Sequence, residues 1–172
     1  MQDLIFILGG ASSGKSAYAE GLAQSADRPM IYVATAQAFD DEMRDKIAAH
    51  IARRGPGWTT IEAPFDVPAA LRAQEAGRIV LLDCVTLWLT NILLDGRDVD
   101  AACDDLLAAL TDCPCPVIAV SNETGLGIVP DNALSRRFRA AQGRINQRLA
   151  AQAATAVAVM AGLPLALKGD LP

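Results

Sequence analysis

The segment Gly9-Gly10-Ala11-Ser12-Ser13-Gly14-Lys15-Ser16 restricts the possible folds of this chain more than any other stretch. It matches the pattern G-x-x-x-x-G-K-[ST]. Leu4-Ile5-Phe6-Ile7-Leu8, an apolar run of buried-strand length, comes just before it, and Ala17 to Gln24 is helix-competent just after. Glycines at this spacing let the main chain curl so that successive N–H groups point inward, and the following helix adds its positive end. That geometry cradles phosphate. Lys15 is placed to reach the β- and γ-phosphates, and the Ser16 hydroxyl to ligate Mg²⁺. A plain glycine-rich turn would not need strand, loop and helix in this register, so the motif predicts binding of a nucleoside triphosphate.

The remaining sequence bounds the protein around that loop. A length of 172 residues predicts one domain, residues 1–172, large enough for a sheet covered by helices. Hydrophobic residues make up 52% of the chain, which excludes a disordered polymer. No apolar run approaches the ~20 residues of a membrane span, and no basic region precedes an apolar core near the start, so a cytoplasmic protein is expected. The net charge of −5 argues against general nucleic-acid affinity, which requires a basic surface. Of the four cysteines, Cys84 falls in an apolar strand, Cys103 in a helical stretch, and Cys113 and Cys115 flank Pro114. With one histidine in the chain this is poor zinc spacing, and buried thiols in a reducing compartment are the better reading.

Strand-like and helix-like segments alternate throughout. After the first strand and helix come a strand at Met30–Ala34, a helix from about Asp40 to Arg54, and a short strand at Trp58–Glu62. A helix near Val67–Ala76 and a strand at Arg78–Asp83 follow, then helices near Val85–Leu94 and Asp98–Leu110. The strand Pro116–Ser121, a long helix from about Pro130 to Ala153, and strands at Ala156–Met160 and Leu165–Lys168 complete the chain. All-apolar strands alternating with helices predict an α/β fold: a RecA-like phosphate-loop NTPase domain whose mostly parallel sheet carries helices on both faces.

Four further groups of residues carry chemistry. Ile79-Val80-Leu81-Leu82-Asp83 is an apolar strand ending in a carboxylate, suited to the metal side of a phosphate loop, although many strands end in Asp. His50 sits at the edge of an apolar stripe formed by Met43, Ile47 and Ile51, with Arg54 one turn further along. A neutral imidazole is a good nucleophile towards phosphorus, and Arg53 or Arg54 is placed to neutralise a transferring phosphate. A lone histidine beside such a stripe is more often an ordinary surface or core-edge residue. Ser121-Asn122-Glu123-Thr124-Gly125-Leu126-Gly127 follows an apolar strand, where polar residues face the ligand crevice of a parallel sheet or simply make the turn. On the last helix Arg137, Arg144 and Arg148 line a stripe within about 40° of Leu134, Phe138, Ile145 and Leu149. Such a stripe suits a phosphate, a neighbouring subunit or solvent.

Taken together, the chain resembles the bifunctional adenosylcobinamide kinase / adenosylcobinamide-phosphate guanylyltransferase family of cobalamin biosynthesis. The resemblance rests on GGASSGKSAYAE, YVATAQAFDDEM, His50 followed by Arg53 and Arg54, LLDCVTLWLTNIL and SNETGLGIVPDNALSRRFRAAQGRINQRLA, from about Ile5 to Lys168. It implies that Gly9, Gly10, Ala11, Ser12, Ser13, Gly14, Lys15 and Ser16 form the GTP-binding loop and that Ala34, Thr35 and Ala36 add nucleotide contacts. Ile51, Ala52, Arg53, Arg54, Glu62 and Cys84 would line the same site, with Ser16 and Asp83 on the Mg²⁺ side. His50 stands where the family carries the histidine that becomes guanylylated. The catalytic residues implied are therefore His50 and Lys15. Adenosylcobinamide and its phosphate are the implied substrates alongside GTP and ATP. A homo-oligomer, a trimer or larger, is implied because so large a ligand finds little room on one chain. The family's loop commonly carries arginine where Ser12 stands, and valine where Thr124 stands. The alternatives to be separated from this reading are a phosphate-loop kinase for another small substrate, with His50 structural, and a GTP-dependent regulatory module.

Overall fold

A computed structural model describes residues 4–37, 52 and 55–172. The helix expected from Asp40 to Arg54, with His50, Ile51, Arg53 and Arg54, lies outside the described residues; of that stretch Ala52 alone is described, and it is exposed. The remaining elements follow in chain order: β1 (Leu4–Gly9), α1 (Lys15–Ser25), β2 (Met30–Ala34), β3 (Trp58–Glu62), α2 (Val67–Arg72), β4 (Ile79–Asp83), α3 (Val85–Leu94), α4 (Val99–Asp112), β5 (Val117–Asn122), α5 (Ala133–Gln152), β6 (Thr155–Met160) and β7 (Leu163–Lys168). The expected alternation holds, with boundaries moved by a few residues. The largest change is at α2, which ends at Arg72 rather than near Ala76, and the last long helix begins at Ala133 rather than near Pro130. There the Asn132 side chain caps it by accepting from the Ser135 N–H at 2.7 Å.

Seven strands form one sheet in the order β3-β2-β4-β5-β1-β6-β7. All neighbours pair in parallel except β6 and β7, which form an antiparallel hairpin. Ala161 and Gly162, the two residues of that hairpin turn, both have positive φ, 51° and 79°. This is the primed turn geometry that matches strand twist.

Alternation along the apolar strands divides their side chains between two cores. Phe6, Val80, Leu82, Val117 and Ala119 pack under α2 to α5, together with Leu71, Trp88, Leu106 and Ile145. Ile7, Leu81, Ile118, Val120 and Val157 pack on the other face, against Ala19 and Ala23 of α1. A parallel strand covered on both sides has no solvent face, which is why these segments lack a polar alternate. Both edges of the sheet differ from its centre. β3 is half-buried to exposed, and β7 leaves Leu163, Leu165 and Leu167 in solvent.

Candidate nucleotide site

The sheet order sets β1, β5 and β4 side by side, so the loop after β1 and the residues ending β5 and β4 meet at one edge. Gly9 pairs in register with Asn122, and Asp83 with Val120. The loop's shape is held by main-chain contacts on both sides. The Ser13 N–H donates to the Gly10 carbonyl at 3.3 Å, and the Glu123 N–H donates to the Gly9 carbonyl at 3.1 Å. The Gly162 N–H, from the β6–β7 turn, donates to the Ser13 carbonyl at 2.8 Å. Gly14 caps α1 at φ +94°, and a Cβ there would lie 3.0 Å from the Gly162 Cα, so the position requires glycine on both counts. Gly9 is closed to a side chain by the Val159 carbonyl, 2.7 Å from where its Cβ would be.

Lys15 folds back over this loop, its Nζ donating to the Gly10 carbonyl at 3.1 Å. The ammonium thus rests where a phosphate oxygen would compete for it. Ser16 follows it in the first turn of α1, half-buried. Asp83 ends β4 with its carboxylate accepting from the Tyr32 hydroxyl at 3.2 Å. Ala34 pairs with both Asp83 and Glu62 in register, so Asp83, the end of β2 and the end of β3 form a continuous row. Ala36 lies just beyond that row, half-buried.

Thr35 contributes structurally rather than as an exposed contact. Its side chain is fully buried, and its hydroxyl both donates to the Cys84 carbonyl and accepts from the Cys84 N–H, each at 2.8 Å. Its own carbonyl accepts from Asn91 Nδ2 at 2.9 Å, and the same amide donates to the Pro64 carbonyl at 2.9 Å. Cys84 lies just past the strand in which the sequence suggested it, as the residue preceding α3. Burial, followed by the charge of Asp83, pushes its thiol up to about 12, so it stays protonated at neutral pH. Burial also raises Cys103, to about 11, and Cys113. All four cysteines are free and buried.

A second group of buried polar side chains was not anticipated. Ser121 Oγ donates to Asn146 Oδ1 at 2.7 Å and accepts from Gln142 Nε2 at 2.9 Å; Asn146 Nδ2 donates to the Asn122 carbonyl at 3.0 Å. From α3, Thr86 Oγ1 accepts the Asn122 N–H at 2.7 Å. The signal was available in the helical spacing. Gln142 and Asn146 share the i, i+4 path of Phe138, Ile145 and Leu149, and two amides on a core-facing stripe must find partners.

The arginine stripe of α5 serves mostly within the chain. Arg148 pairs with Asp104 at 2.5 Å and Arg144 with Asp100 at 3.6 Å, both bridging to α4. Arg137 has no such pair among the described residues and borders a cleft of about 360 Å³ with Arg97 and Arg144, beside the start of α4. No group of three or more His, Cys, Asp or Glu side chains able to hold a metal occurs among the described residues, and no described helix is long and apolar enough to cross a membrane.

This arrangement can be set beside known proteins. The family model described as cobinamide kinase / cobinamide phosphate guanyltransferase matches residues 5–167. The chain belongs to this family. It is therefore an enzyme of that class, a kinase and guanylyltransferase of cobalamin biosynthesis. The chain is 49% identical over 173 residues to the bifunctional adenosylcobalamin biosynthesis protein CobP of Pseudomonas aeruginosa, covering 99% of each. It is 38% identical over 181 residues to the bifunctional adenosylcobalamin biosynthesis protein CobU of Escherichia coli, covering 96% of this chain and 99% of that one. Among solved structures, the RadB recombinase superposes with a TM-score of 0.54 at 14% identity, covering 91% of this chain and 73% of that one. That likeness concerns the fold alone, and it agrees with a RecA-like domain.

Proposed function

We propose that the chain transfers the γ-phosphate of ATP or GTP to adenosylcobinamide, and then GMP from GTP to adenosylcobinamide-phosphate, through a covalent His50–GMP intermediate. The observation that carries this reading is the Gly9–Ser16 loop, braced on both sides, with Asp83 on the strand two places away in the sheet. In the first reaction the acceptor hydroxyl oxygen bonds to the γ-phosphorus, the bridging oxygen leaves on the nucleoside diphosphate, and the hydroxyl proton passes to solvent. Loop amides and the Lys15 ammonium stabilise the charge that builds up on the β- and γ-phosphate oxygens.

Ser16 and Asp83 would hold Mg²⁺. One carboxylate and one hydroxyl, completed by phosphate oxygens and water, is how this cation is commonly held, and the set present fits it. The ion would neutralise part of the triphosphate charge.

In the second reaction a neutral His50 ring nitrogen bonds to the α-phosphorus of GTP, and pyrophosphate leaves. An oxygen of adenosylcobinamide-phosphate then bonds to the same phosphorus and the N–P bond breaks, giving adenosylcobinamide-GDP and free His50. Arg53 and Arg54 neutralise the transferring phosphate, and Glu62 accepts from the N1 and N2 donors of guanine. Glu62 stands in register with Ala34 at the site edge of the sheet, which supports that role. Ile51, Ala52 and the main chain around Cys84 complete the nucleotide contacts. A homo-oligomer, a trimer or larger, working in the cytoplasm would cover the exposed Leu163, Leu165 and Leu167 of β7 and give the corrinoid a second wall.

Incubation with α-labelled GTP tests the covalent step. The wild-type chain should retain label that acid releases and base does not, as a phosphoramidate does. His50→Ala should retain none while still phosphorylating adenosylcobinamide. Label retained on the variant overturns the assignment of the nucleophile.

A further inference from the structure

At the centre of the nucleotide edge one polar side chain stands on a firmly held main chain and has no hydrogen-bond partner among the described residues. β5 lies between β1, which carries the loop, and β4, which ends on Asp83. Asn122 is the last residue of β5 and the register partner of Gly9, two residues beyond the partner of Asp83. Strand spacing and rise put the Asp83 and Asn122 Cα atoms roughly 8 Å apart, a span that one metal-bound phosphate bridges.

Its direction follows from its neighbours. Ile118 and Val120 pack on the α1 face of the sheet, whereas Ser121 turns to Gln142 and Asn146 of α5. Alternation therefore returns Asn122 to the α1 face. Asp83 shares that face, because its carboxylate meets Tyr32, which packs in the α1-side core. Loop, carboxylate and carboxamide thus converge on one side of the sheet crest.

The Asn122 main chain is fully committed. Its N–H donates to Thr86 Oγ1 at 2.7 Å, its carbonyl accepts from Asn146 Nδ2 at 3.0 Å, and the next N–H donates to the Gly9 carbonyl at 3.1 Å. Its half-buried side-chain carboxamide, by contrast, has no hydrogen-bond partner among the described residues. Thr86 and Asn146, the latter held by Ser121 and Gln142, spend buried polar groups on fixing the main chain from which this side chain springs, so its carboxamide starts from a set position before any ligand arrives.

We infer that the Asn122 carboxamide is a catalytic residue of the kinase step, donating an Nδ2–H to a γ-phosphate oxygen of the bound triphosphate. This rests on the nucleotide reading of the Gly9–Ser16 loop. The loop amides and the start of α1 surround the phosphates nearest the turn. The end of β5 faces Asp83 and therefore the end of the triphosphate where metal and γ-phosphate sit. Asn122 exchanges no proton and forms no covalent bond; it supplies a fixed dipole to the oxygens that gain charge as the γ-phosphoryl group moves. Guanylyl transfer, with bond making at the α-phosphorus, does not need it.

The test compares Asn122→Ala with Lys15→Ala and wild type, by calorimetric titration with GDP and with the β,γ-imido analogue of GTP, alongside both reaction rates. Loss of a hydrogen bond to a charged oxygen predicts that Asn122→Ala binds the analogue about 10- to 100-fold more weakly, with GDP affinity within about twofold of wild type. Its kinase kcat should fall by a similar factor, while label from α-labelled GTP at saturation stays within about threefold. Equal losses for GDP and analogue, or no loss for either with an unchanged kinase kcat, overturn the assignment of Asn122. Lys15→Ala separates the two readings: wild-type affinity of that variant for both nucleotides sinks the loop reading itself. Should Asn122→Ala not fold, the side-chain amide resonance of Asn122 in the wild-type chain decides. A shift on adding the analogue but not GDP supports the contact, and equal shifts or none refute it.

Discussion

Thr35→Val replaces a hydroxyl with a methyl group of nearly the same size at a fully buried position, so it separates hydrogen bonding from packing. The hydroxyl makes two bonds of 2.8 Å, to the N–H and to the carbonyl of Cys84. Their losses are unequal. The Cys84 carbonyl also accepts from the Trp88 N–H at 3.2 Å and keeps that partner, whereas the Cys84 N–H has only Thr35 among the described residues. The cost is therefore one buried donor left unpaired plus one ordinary hydrogen bond, about 2–3 kcal/mol. For a domain of this size that lowers the melting temperature by roughly 5–10 °C. Urea denaturation followed by circular dichroism measures it, with an unchanged slope expected because no additional surface is exposed on unfolding. Thr35→Ser keeps the hydroxyl and loses one methyl, at about 1 kcal/mol. If the valine variant matches wild type, or the serine variant is the less stable of the two, the clamp between β2 and β4 is packing rather than hydrogen bonding.

Two further outcomes follow from the same edge. Above the ordinary thiol value of 9.0, unfolded chains release protons that folded chains keep on Cys84 up to about 12 and on Cys103 up to about 11. The stability these thiols contribute is therefore complete below pH 9 and is lost as pH rises, by up to about 1.4 kcal/mol per pH unit for each thiol. Urea titrations from pH 8 to 10.5 should show a decline that Cys84→Ala makes shallower. Gly14→Ala forces a side chain into φ +94° against Gly162, 3.0 Å away, and should cost about 1–2 kcal/mol or more. It should also weaken GTP binding measured by calorimetry, since the cap of α1 must shift.

The parts of the fold that sequence reveals are those set by short-range chemistry. Runs such as Ile79–Leu82 and Val117–Val120 have no polar alternate, so they announce strands buried on both faces, and they are. The loop glycines announce a positive φ or a close approach, and Gly14 shows both while Gly9 shows the close approach. What the residues around the loop do is set by long-range pairing and is harder to read. The resemblance implies Thr35 as a nucleotide contact, and the bond its hydroxyl makes to Cys84, 49 residues away, is announced by no local pattern. Arg144 and Arg148 pair with aspartates of α4, a helix whose position beside α5 no local pattern encodes. Tyr32 reads as a strand residue, and only the parallel pairing of β2 with β4 brings its hydroxyl to Asp83.

The distribution of buried polar side chains points to what the edge must withstand. Thr35, Thr86, Asn91, Ser121, Gln142 and Asn146 are all buried, and each has a hydrogen bond at or next to the carboxyl ends of β2, β4 or β5. The centre of the sheet, where Phe6, Leu81, Leu82 and Ile118 pack, uses apolar groups alone. An apolar contact tolerates a shift of half an ångström with little loss. A buried hydrogen bond does not, because each desolvated group loses about 1–3 kcal/mol when its partner moves away. Strand ends fixed in this way hold Asp83, Asn122 and the Gly9 loop at set distances whichever phosphorus is attacked. On the proposed function, chemistry at both the γ- and the α-phosphorus would then require no adjustment of this floor, and the choice between them would fall to the groups that approach it from above.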